Sequence, residues 1–100
     1  MSRATKRTYF LLCPSEKLVK IGESITPMYR VTQLRLMNAA PVEALCVILV
    51  PEKELHERFA IHRHHGEWFM LSREMVEYLR EINEPLAAHK IESLLGHSIP

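Results

Sequence analysis

Tyr9, Lys20, Arg30 and Glu52 are the residues of this chain whose types, taken together, suit phosphodiester chemistry. A cation beside a phenol favours the phenolate, so Lys20 near Tyr9 brings a hydroxyl with an ordinary pKa of about 10 toward the range of a general base. Arg30 offers a planar fork that pairs with two phosphate oxygens at once and stabilises the charge growing on them. Glu52 follows Pro51 at the opening of a helix, where the helix dipole favours an ionised acid. A carboxylate there can hold one hard divalent cation, Mg2+ or Mn2+, whose other positions are filled by water and substrate phosphate. His56 lies four residues further on and therefore on the same helical face. There it orients a water, contacts phosphate, or serves as a satisfied structural histidine.

These groups are useful only if the elements that carry them converge. TYFLLC at 8–13 and KLVKIG at 17–22 are strand-like runs divided by Pro14, Ser15 and Glu16, the pattern of an antiparallel hairpin. Pairing Cys13 with Leu18 sets Leu11 opposite Lys20 and places Tyr9 diagonally from Lys20 on one face. A lysine inside the apolar stretch VKIGES then has a function to serve on that face. Thr26-Pro27 opens a helix with a capping hydroxyl and a proline at its first position, and the helix ends near 38–40. VEALCVILV at 42–50 has the length and β-branched content of a central strand. Pro51 starts a second helix with Leu55 and Phe59 inward, and Gly66 ends it or its following loop.

EWFML at 67–71 forms a short strand or simply packs, with Trp68 and Phe69 as core anchors and base stacking by Trp68 as a secondary role. Ser72 caps a third helix whose Met75, Leu79 and Ile82 face inward while Glu74, Glu77 and Glu81 face water. The segment after Pro85 is helical, and its Leu86, Ile91, Leu94 and Leu95 must be covered by the core or by a second copy of the chain. The order ββαβαα predicts a small α/β protein of the α+β kind, with helices against a mostly antiparallel sheet. One domain spans 1–84, with a C-terminal helical extension over 85–100.

The 100 residues are 47% hydrophobic and 25% charged, enough for one core and not two. The longest apolar run, ALCVILV at 44–50, is far short of the roughly 20 residues that cross a bilayer. The basic start MSRATKR precedes an apolar segment too short for a secretory core. Cys13 and Cys46 lack a CxxC partner and read as buried reduced thiols, which places the protein in the cytoplasm. A net charge of +1 excludes a bulk electrostatic coat for nucleic acid. The cations are nevertheless uneven: Arg3, Lys6, Arg7, Lys17, Lys20, Arg30 and Arg35 in the first third face only Glu16 and Glu23. Arg35, Arg63 and His64 are the candidates for contact with a nucleic-acid backbone. His62, His64 and His65 have no cysteine or carboxylate pattern that completes a zinc site.

Tyr9, Lys-Ile-Gly at 20–22, Arg30 eight residues after Gly22, Glu52-x-x-Leu55-His56-x-x-Phe59 and Gly66-Glu67-Trp68-Phe69 together resemble the GIY-YIG nuclease superfamily. Within it they are similar to the phage-type DNA-binding branch and the related meiotically up-regulated gene family, over residues 8–82. The resemblance implies a three-stranded antiparallel sheet flanked by helices and a one-metal site for phosphodiester hydrolysis. It puts the first signature tyrosine at Tyr9, the arginine at Arg30 and the metal-binding glutamate at Glu52. Lys20 stands where many members carry a second tyrosine, a substitution familiar in this branch. The expected activity is that of a metal-dependent DNA endonuclease, with RNA as an open alternative substrate. The other readings are a non-catalytic nucleic-acid-binding module of the same fold and an interaction domain that dimerises through the C-terminal helix.

Overall fold

The computed structural model describes residues 5–96, so Arg3 and the end of the C-terminal extension, 97–100, lie outside the described residues. The chain opens with β1 (Arg7–Cys13) and β2 (Leu18–Ser24), joined by a turn in which Lys17 takes a φ of 55°. They pair antiparallel with Cys13 opposite Leu18, Leu11 opposite Lys20 and Tyr9 opposite Gly22, the register the apolar pattern predicts. α1 (Pro27–Met37) starts at its proline and stops with the Asn38 amide bonded to the Leu34 carbonyl at 3.0 Å. Its capping hydroxyl differs from expectation. Thr26 makes no side-chain capping bond, and the Ser24 hydroxyl instead accepts from the Thr26 amide at 2.9 Å, fixing the turn that enters the helix.

β3 (Glu43–Ile48), α2 (Glu52–Arg58), a 3-10 turn at Ala60–His62, β4 (Arg63–His65) and β5 (Trp68–Met70) come next along the chain. The sheet has five strands in the order β3-β1-β2-β5-β4, each neighbouring pair antiparallel, rather than the three expected. The extra two arise because Gly66, with φ of 52°, turns 63–70 into a tight hairpin whose second strand covers the free edge of β2. The centre of the sheet also lies elsewhere than composition suggests. β2 occupies it, beside β1, which is buried at every position after Arg7, while β3 is an edge strand with mostly half-buried side chains.

α3 (Arg73–Glu81) and α4 (Pro85–Leu95) complete the chain. The Ser72 hydroxyl accepts from the Met75 amide at 3.1 Å, as its position before the helix predicts. Ser72→Ala removes that acceptor, and we expect urea denaturation to show a loss of about 1 kcal/mol with no other change in the fold. α4 docks inside the chain: Ala87, Ala88 and Ile91 join the core formed with Met75, Val76 and Leu79 of α3, and Leu94 and Leu95 pack against it. Arg73 and Arg80 of α3 both donate to Glu92 of α4. The apolar stripe that could have sought a second copy is thus covered from within, apart from the exposed Leu86.

Helices cover both faces of the sheet. Phe10, Leu12, Val19 and Ile21 pack with Leu55, Phe59, Met75 and Leu79 on one side, and Tyr9, Leu11 and Cys13 pack with Val31, Leu34 and Val42 on the other. Cys13 and Cys46 are buried free thiols, and burial, with the nearby Glu84 charge, pushes Cys46 up to about 12. Among the described residues no helix is long and apolar enough to cross a membrane.

Candidate active site

The site begins at the pair Tyr9–Gly22 across β1 and β2. A Cβ on Gly22 would overlap the Tyr9 hydroxyl and ring carbon Cζ, so the missing side chain is the space in which the phenol lies. Tyr9 is 2% exposed, and its hydroxyl is hydrogen-bonded to Arg30, which α1 brings across this face by burying Val31 and Leu34. Burial raises the Tyr9 pKa, the Arg30 bond opposes it, and the charges of Glu67 and Glu52 add to the rise; the result is above the ordinary tyrosine value. That reverses the expectation that Lys20 would lower it. The reason is that the Lys20 ammonium lies 3.0 Å from Glu67 Oε1 and above the Trp68 ring, 5.7 Å from its centroid, so its charge is directed at a carboxylate.

Glu67 stands in the turn between β4 and β5. Its carbonyl accepts from the Ile21 amide at 3.0 Å, and Arg63 donates to the neighbouring Gly66 carbonyl at 2.6 Å, so the backbone that presents the side chain is held from two directions. The Glu67 carboxyl shares a hydrogen bond with that of Glu52, the first residue of α2. Glu23 adds a third acid by accepting from the Glu52 amide at 3.4 Å. Burial, the bond to Glu67, and the Glu67 charge push Glu52 above the ordinary carboxyl range, against the help of His56. The helix opening therefore does not decide the state of Glu52, as its position in the first turn suggests; its acidic neighbours and burial do. Burial pushes Glu67 up as well, but its bonds to Lys20 and Glu52 and the charges of Lys20 and His56 outweigh that, and it falls below the ordinary value.

His56 approaches from α2, its Nε2 2.8 Å from the Ile21 carbonyl and 4.0 Å from Glu52 Oε1, with its ring 5.1 Å from that of Phe69. A carbonyl only accepts, so Nε2 carries the proton. Both backbone groups of Ile21 are thus taken by site residues, the amide by Glu67 and the carbonyl by His56. Donor atoms of Glu52, His56 and Glu67 lie within 4.8 Å of one another. A set dominated by carboxylate oxygens fits a hard divalent cation such as Mg2+ or Mn2+ better than a thiophilic metal.

The structure therefore gathers Tyr9, Lys20, Arg30, Glu52 and His56 into one polar cluster linked through Glu67, a residue that sequence reasoning gave no role. Its signal was present in the Gly66-Glu67 turn beside Trp68, since Trp68 is the β5 residue opposite Lys20. The outer cations are placed differently. Arg35 is exposed five residues beyond Arg30, about 140° round the helix, and so does not share its face. Arg63 stacks on Phe69 at 5.1 Å while holding the Gly66 carbonyl, and His64 lies exposed on β4 with its Nδ1 2.6 Å from that of His65.

A family model for the T5orf172 domain matches residues 6–84. This chain belongs to the T5orf172 domain family. No curated protein and no solved structure matches it. The matched part of the T5orf172 domain contains Tyr9, Lys20, Arg30, Glu52, His56 and Glu67, and it ends just before α4.

Proposed function

We propose that this T5orf172 domain is a cytoplasmic endonuclease of GIY-YIG type that hydrolyses DNA phosphodiester bonds with one Mg2+ or Mn2+ at Glu52. The observation that carries this reading is the continuity of the polar cluster. Five separate pieces of chain supply Arg30 against Tyr9 and Lys20 against Glu67, Glu52 and His56, with Gly22 left bare to admit the phenol. Arg30 supplies donors for the phosphate oxygens on which charge develops, and the buried Tyr9, held protonated, supplies a further hydroxyl donor beside it. Lys20, held by Glu67, adds positive charge to the same face. Tyr9 and Lys20 thus orient and stabilise, and the proton acceptors of the cluster are its carboxylates. When bound, the cation neutralises phosphate charge and orients the scissile group.

A second reading, a DNA-binding module that does not cut, is favoured by one observation: Lys20 is engaged by Glu67 and the Tyr9 pKa is raised, so neither is poised as a base. Incubating the protein with plasmid and with single- and double-stranded oligonucleotides of DNA and RNA, in Mg2+, Mn2+ or chelator, separates the readings. Cleavage that needs the metal is the expected result. Gel retardation that weakens with salt, without cleavage in any metal, replaces the enzyme by the binding module, and no interaction with any nucleic acid removes both.

A further inference from the structure

We propose that Glu67 is the second carboxylate of the cation site and couples Lys20 to it, one carboxyl oxygen facing the ion and the other holding the Lys20 ammonium. The inference rests on the reading of Glu52 as a ligand of the ion. Its first ground is placement. Glu67 is on a hairpin tip and its side chain is 38% exposed, so open water is within its reach, yet it lies against the Glu52 carboxyl and within 3.0 Å of Lys20 Nζ. Two ionised carboxylates repel, and the hydrogen bond the pair shares puts a proton in the place a cation takes once both are ionised. Lys20 pairs with Glu67, while Glu52 is left beside Glu67 and Glu23.

The second ground is rigidity. The Ile21 amide fixes the Glu67 carbonyl, Arg63 fixes the carbonyl of Gly66, and the left-handed Gly66 sets the turn, so the carboxyl is delivered from a braced backbone rather than a loose loop. The third ground is the exclusion of the other neighbour. His56 spends its Nε2 proton on the Ile21 carbonyl, and that same nitrogen is the one 4.0 Å from Glu52. It cannot offer a lone pair there while that bond stands. Of the three groups within reach of one ion, the two carboxylates remain, and carboxylate oxygens are what Mg2+ and Mn2+ prefer. His56 is then a positioning residue that ties α2, and with it Glu52, to β2.

The test is Mn2+ binding by the full chain without DNA, followed by electron paramagnetic resonance and calorimetry, with circular dichroism to confirm the fold of each variant. Wild type is expected to bind one Mn2+, and Glu67→Gln to bind it at least about tenfold more weakly. Lys20→Met frees the carboxyl from its competing partner and is expected to tighten Mn2+ binding several-fold, a gain that shrinks in the Lys20→Met/Glu67→Gln double variant. Glu67→Gln binding Mn2+ as wild type does, while Glu52→Gln loses it, overturns the role of Glu67 and leaves that of Glu52 standing. A wild type that binds no Mn2+ overturns both. If Glu67→Gln fails to fold, an unchanged affinity in Lys20→Met overturns the proposal by itself.

Discussion

Glu52→Gln is expected to reduce metal-dependent DNA cleavage by about a thousandfold or more, while the melting temperature stays the same or rises. The two halves of this result have one cause. Glu52 is pressed by burial, by the Glu67 carboxyl and by the Glu23 charge, so its ionised form works against the fold. The amide keeps the shape and removes the charge, relieving the repulsion as it removes the anchor proposed for the cation. A residue that serves only structure gives the opposite pairing, a loss of stability with activity falling in proportion.

The pH dependence has a definite sign. The folded-state pKa of Glu52 lies above its unfolded value, so the stability it contributes is full below the ordinary carboxyl range and is lost as pH rises through its own raised pKa. Glu67, lowered by Lys20 and Glu52 against the effect of burial, contributes stability above the ordinary range that is lost as pH falls through its depressed pKa. Thermal melts from acid to neutral pH should therefore show Glu52→Gln gaining on wild type as pH rises. A variant that melts below wild type at neutral pH, or that still cleaves, defeats the assignment.

Gly22→Ala should be the most damaging substitution of a single small atom. The strain is not in the backbone, since Gly22 lies outside the left-handed region that Gly66 occupies. It comes from contact: the added Cβ overlaps the Tyr9 hydroxyl and Cζ and sits 3.0 Å from Cε1, against a ring that is 2% exposed and cannot step aside. Overpacking of this kind costs about 1–3 kcal/mol. The ring must also leave Arg30, so cleavage falls with stability. Denaturation of Gly22→Ala, Tyr9→Leu and the double variant forms a cycle. Shrinking the ring should recover about 0.5–3 kcal/mol of the alanine's cost without restoring cleavage. Additive losses would show that the phenol does not fill the space above Gly22.

How far such a site can be read from sequence depends on whether its geometry is local. The β1–β2 register was legible because a four-residue turn and apolar runs on either side leave one pairing that buries both strands, and that register alone put Tyr9 and Lys20 on one face. The Ser72 cap was legible for the same reason, since acceptor and donor are three residues apart. The β4–β5 hairpin was not. Its strands are three residues long, too short to show a period, and RHH is wholly exposed. With it went Glu67, which meets Lys20 only because Trp68 pairs with Lys20 across a gap of nearly fifty positions. The interior place of β1 and β2 was hidden by the stronger apolar run at 42–50, which marks burial without saying which strand has two neighbours. The direction of the Tyr9 shift was missed because sequence shows a cation nearby but not the depth at which the phenol lies.

The docking of α4 makes the folding unit longer than its recognisable signature, which ends at residue 84. A polypeptide stopped there would turn the inner sides of Met75 and Leu79 toward solvent, sticky surfaces where Ala87, Ala88 and Ile91 now lie. Shortened relatives or engineered fusions that discard this final helix would have to furnish a substitute wall, so the helix beyond the family motif acts as the floor on which that motif stands.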